Sequence, residues 1–85
     1  MNDQLMHNET LAMARLLIAR LERLSVDSYW AHQASGLRRS LMRCVDELEK
    51  MPPQAEESHR RLERLMRRGF DILERAAREL GDPGR

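Results

Sequence analysis

Several residue types are nearly missing from this chain of 85 residues. Cys44 is the single cysteine, so no intrachain disulfide can form and no second thiolate is at hand for a zinc site. The β-branched residues are Thr10, Ile18, Val26, Val45 and Ile72, and no apolar–polar alternation is sustained, which excludes a sheet. Apolar runs stop at three or four residues, as in Leu16-Leu17-Ile18-Ala19, far short of a membrane span. The opening MNDQLMHNET has neither the basic nor the apolar region of a secretory signal, so a cytoplasmic location is expected. No G-x-S-x-G nucleophile turn, internal repeat or low-complexity tract occurs. Net charge is only +1, which excludes a global field towards nucleic acid or membrane. Lys50 is the only lysine among 15 basic residues. Such an arginine bias suits a GC-rich genome as well as phosphate recognition.

What is abundant is charge, 34% of the chain, interleaved with 41% apolar residues at helical spacing. Three segments carry that period, about 4–24, 27–50 and 54–80, with loose ends at 1–3 and 82–85. The first has a stripe of Met6, Thr10, Met13, Leu17, Leu21 and Leu24, but Leu5, Leu11, Leu16 and Ile18 make it apolar well beyond one stripe. The second has Trp30, Ala34, Leu37, Leu41, Val45 and Leu48, with Gly36 suggesting close approach of a neighbouring helix or a local bend. Pro52 and Pro53 end it. The third has Leu62, Met66, Gly69, Leu73, Ala76 and Leu80, opposite a face of charges spaced for i,i+4 pairs such as Glu56–Arg60, Glu63–Arg67 and Asp71–Arg75. Gly81 and Pro83 stop it. Short connections make neighbouring helices antiparallel. The expectation is an all-α, up-down-up three-helix bundle in one domain, 1–85, that associates into a homodimer.

The stretch SVDSYWAHQASG, 25–36, gathers Asp27, Ser28 and His32 and so invites a nucleophile triad. The spacing argues against one, because all three sit in a single helical turn with no oxyanion hole. Ser25, Asp27 and Ser28 are good helix caps, and capping accounts for them more simply. His7, His32 and His59 are scattered; Glu56-x-x-His59 has the spacing of di-iron bundles, which need a second such motif and two more Glu. No enzyme activity and no cofactor are therefore expected.

The local charge imbalance is HRRLERLMRR, 59–68, where Arg60, Arg61, Arg64, Arg67 and Arg68 form a candidate phosphate surface. Carboxylates within a turn favour a solvated, ion-paired face there. Six methionines suit either core filling or an adaptable helix-binding surface. The leading functional expectation is a small interaction or assembly module whose partner surface is Leu5, Leu11, Leu16 and Ile18. Its partner would be a second copy or another helical protein. Nucleic-acid binding through the arginine cluster stands second, and a metal-binding helical bundle third.

Overall fold

The computed structural model describes residues 3–24, 29–51 and 55–79. They form three helices, α1 (Asp3–Glu22), α2 (Tyr29–Glu49) and α3 (Glu56–Glu79), each packed against the other two. No strand occurs among the described residues. The protein is an all-α three-helix bundle. Arg15 pairs with Glu49, and Glu22 with Arg38 at 3.0 Å, so α1 and α2 run antiparallel. Trp30 bonds Glu79 and Cys44 Sγ lies 3.9 Å from the Ser58 carbonyl, so α2 and α3 also run antiparallel. α1 and α3 are therefore parallel, with His7 beside His59 and Leu17 beside Gly69.

The helix ends close locally. Arg23 and Leu24 donate to the carbonyls three residues back, as do Lys50 and Met51, which tightens each last turn and satisfies orphan carbonyls. At the start of α3 the Ala55 carbonyl accepts the first helical bond, from His59 at 3.1 Å, and Glu56 and Glu57 complement the helix dipole. The capping residues expected at 25–28, the prolines at 52–53 and the stop at 81–83 lie outside the described residues.

α2 buries Ala34, Leu37, Leu41, Cys44, Val45 and Leu48, with Trp30 half-buried against the core. α3 buries Leu62, Gly69, Ile72 and Ala76, flanked by Leu65, Met66 and Leu73. α1 departs from the expected stripe. It buries His7, Leu11, Ala14, Leu17 and Leu21, while Met6 and Met13 are exposed. The helix is turned by part of a residue step because its apolar residues surround the axis, so spacing alone does not pick the face. Leu17, Leu41, Leu48 and Leu62 are the largest fully apolar side chains at the centre. Each contributes about 1.5–3 kcal/mol of burial.

The close approach expected at Gly36 is not there. Gly36 is exposed, and a Cβ on it would meet nothing within 4 Å. The glycine that admits a neighbour is Gly69, where a Cβ would lie 2.7 Å from Leu17 Cδ2. That missing side chain lets α1 seat Leu17 directly against the α3 backbone.

Candidate interaction surfaces

The seating of α1 divides its expected partner residues. Leu11 is buried in the core, and Ile18 is half-buried and packed against it. Both are occupied within this chain, which corrects their assignment to a partner surface. Leu5 and Leu16 are 54% and 53% exposed. Met6 and Met13, expected inside, join them outside at 55% and 47%. Met6 and Met13 border a groove between α1 and α3 with Glu9, Thr10, Glu63 and Met66, and Leu16 borders its continuation with Ala19, Arg20, Arg23 and Leu73. Phe70, on α3, is exposed as well.

The outward face of α1 has an order of its own. Leu5, Glu9, Ala12, Leu16, Ala19 and Arg23 are spaced 4, 3, 4, 3 and 4, the repeat of a helix–helix seam. Ala12 and Ala19 keep that seam low. Glu9, Arg20 and Arg23 make no ion pair among the described residues.

Histidine provides the one buried polar side chain of the described core. His7 is 5% exposed, and its Nδ1 lies 2.9 Å from Nε2 of His59, with the rings tilted by 57°. A bond between two imidazole nitrogens needs one N–H and one bare lone pair, so the accepting nitrogen carries no proton. The pair ties α1 to α3 near their N-termini. Spacing gave no hint of it, since the two residues are 52 apart in sequence. Glu56, the candidate metal partner of His59, lies 3.7 Å from Arg60 instead. Among the described residues no three His, Cys, Asp or Glu side chains converge to hold a metal ion. Cys44 is buried at the α2–α3 contact. Burial pushes its thiol pKa up; nearby Arg61 opposes this and Glu47 adds to it.

His32 is exposed and borders a groove between α2 and α3 with Gln33, Gly36, Leu37, Ser40, Leu65 and Arg68. No carboxylate lines that groove. Trp30 donates its indole N–H to Glu79, stacks edge-on with Tyr29, and has the Arg75 guanidinium 5.9 Å from its ring centroid. It is a packing anchor at the end of the bundle.

The arginines of α3 differ from the expected ion-paired face. Arg60, Arg75 and Arg78 pair with Glu56, Asp71 and Glu74. Arg61, Arg64, Arg67 and Arg68 are exposed and make no ion pair among the described residues. Glu63, the expected partner of Arg67, borders the groove with Met6 and Met13.

No family model, curated protein or solved structure matches this chain. Among the described residues no helix is long and apolar enough to cross a membrane.

Proposed function

We propose that this protein is a non-enzymatic assembly module that pairs with a second copy of itself through the outward face of α1. The observation that carries the reading is the seam of exposed Leu5, Ala12 and Leu16 and half-buried Ala19, flanked by Met6 and Met13. Its charges favour a second copy in one orientation. A twofold axis between Met13 and Leu16 sets Glu9 of one copy against Arg20 of the other, twice. A parallel pairing would instead oppose Glu9 to Glu9 and Arg20 to Arg20, which repel.

The interface is modest. Leu5, Met6, Met13 and Leu16 are each about half exposed, so burying the rest of each contributes roughly 1 kcal/mol, about 8 kcal/mol for two copies. Association costs about 4–15 kcal/mol, so the expected dimer is weak and concentration-dependent.

The test is sedimentation or light scattering across a concentration series. The wild type should shift from monomer to dimer. Leu16→Glu should remain monomeric with its helical signal intact, since Leu16 lies outside the monomer core. Glu9→Arg should weaken the dimer, and adding Arg20→Glu should restore it. A wild-type monomer up to about 1 mM, where an association of only about −4 kcal/mol is already evident, would overturn the proposal.

A further inference from the structure

We infer that the α2–α3 face is a second, independent binding surface, for the sugar–phosphate backbone of a duplex nucleic acid. Net charge conceals it. From 29 to 45, α2 carries Arg38, Arg39 and Arg43 and no acidic residue. From 58 to 70, α3 carries Arg60, Arg61, Arg64, Arg67 and Arg68 against Glu63 alone. The antiparallel packing of α2 on α3 lays these two basic segments side by side. Of the seven excess positive charges in these segments, Arg38 and Arg60 are paired with Glu22 and Glu56, which leaves five in a chain whose total is +1.

The groove there has two rims. On α2, His32, Gly36, Arg39 and Arg43 share one side, at steps of 4, 3 and 4. On α3, Arg61, Arg64 and Arg68 share one side, at steps of 3 and 4. His32, Gly36 and Arg68 border the same groove, with Ser40 and Leu65 also lining it. Arg39, Arg43, Arg61, Arg64 and Arg68 are exposed and make no ion pair among the described residues. The carboxylates that α3 places for pairing serve Arg60, Arg75 and Arg78, of which Arg75 also lies over the Trp30 ring of α2.

The chemistry selects the ligand. Guanidinium groups match phosphate oxygens with paired N–H donors. Packed helices lie about 8–10 Å apart, so one strand along the groove is within reach of both rims. Arg61 to Arg68 spans about 10 Å of helix, roughly three axial steps of a duplex strand. Tyr29, exposed at the end of the α2 rim, accepts a bond from Gln33 and stacks edge-on with Trp30, so the basic rims hold no row of aromatic platforms for successive unpaired bases. The exposed Met42, next to Arg43, turns to Arg38 on the α1 side of α2, and the larger exposed apolar cluster belongs to the α1–α3 side, so the groove itself has no apolar row to insert into a bilayer. Backbone contact without base readout makes the binding sequence-independent.

Fluorescence anisotropy with a mixed-sequence duplex, as DNA and as RNA, tests this on the full chain. Five phosphate contacts predict a log–log salt slope of about −4.5, or about 500-fold weaker binding from 50 to 200 mM salt. Arg64→Gln with Arg68→Gln should flatten the slope to about −2.7, about 40-fold over the same range. Arg60→Gln with Arg78→Gln removes the same formal charge from ion-paired sites and should leave the slope near the wild-type value. Helicity of both variants is checked by circular dichroism. The proposal is overturned by no duplex binding at about 50 mM salt, by equal loss in the two double variants, or by a preference for single strands. Capture by phosphatidylserine vesicles without duplex binding would also overturn it, assigning the face to a lipid surface.

Discussion

Alanine at the two helical glycines gives a direct measure of how tightly α1 seats on α3. In both helices the substitution gains about 1 kcal/mol of helix propensity. At Gly36 nothing lies within 4 Å of the new Cβ, so the gain stands alone. Gly36→Ala should therefore stabilise by about 0.5–1 kcal/mol and raise the melting temperature by about 3–6 °C. At Gly69 the Cβ would meet Leu17 Cδ2 at 2.7 Å, Cγ at 3.2 Å and Cδ1 at 3.3 Å. Leu17 is 1% exposed and has no open side to swing into. Overpacking of that kind costs about 1–3 kcal/mol, so Gly69→Ala should range from neutral to about 2 kcal/mol destabilising. Propensity cancels between the two variants, and their difference reports the contact alone. Urea unfolding followed by the helical signal, at one fixed protein concentration, measures both. Equal stabilisation by the two substitutions would refute the close approach of α1 and α3.

The histidine pair predicts a non-additive response. His59→Leu strands the buried His7 and should cost about 1–3 kcal/mol, whereas His7→Leu with His59→Leu together should be nearly neutral by urea unfolding. Leu62→Ala, at the centre of the core, should cost about 2–5 kcal/mol in the same assay. Cys44 has a raised thiol pKa, so the fold holds its proton more tightly than the unfolded chain does. Its stabilising contribution should be complete below the ordinary thiol value of about 8.5 and fade as pH climbs through the higher folded value. Unfolding curves on either side of that value, compared with Cys44→Ala, check this; an identical pH dependence in the two proteins would refute it.

The helix count, the order of the bundle and nearly all of the α2 and α3 stripes were legible from spacing, because those two helices are apolar on one side only. α1 was not. Its leucines and methionines surround the axis, so spacing put the stripe through Met6 and Met13, where the fold buries Leu11 and Ala14 instead. Only packing against two other helices distinguishes them. The glycine roles were misassigned for a related reason: a helical Gly marks an opportunity for contact, and the neighbour decides whether it is used. The α3 charge ladder was overcounted because i,i+4 spacing makes a pair possible without aiming the carboxylate. Glu63 faces the α1 groove, and Glu79 accepts from Trp30. The His7–His59 contact is long-range and has no local signature.

A helix that can be buried on more than one side has competing, nearly degenerate seatings. In α1 the choice falls to a few contacts on its flanks: Arg15–Glu49, Glu22–Arg38, His7–His59 and Leu17 against Gly69. The two ion pairs are solvent-exposed and each contributes at most about 1 kcal/mol to stability. Their consequence is uniqueness: they act as indexing stops on a rod that hydrophobic burial alone would leave free to turn. A chain stripped of them would still collapse into three helices, with Met6 and Met13 exchanging places with Leu11 and Ala14 in part of the ensemble.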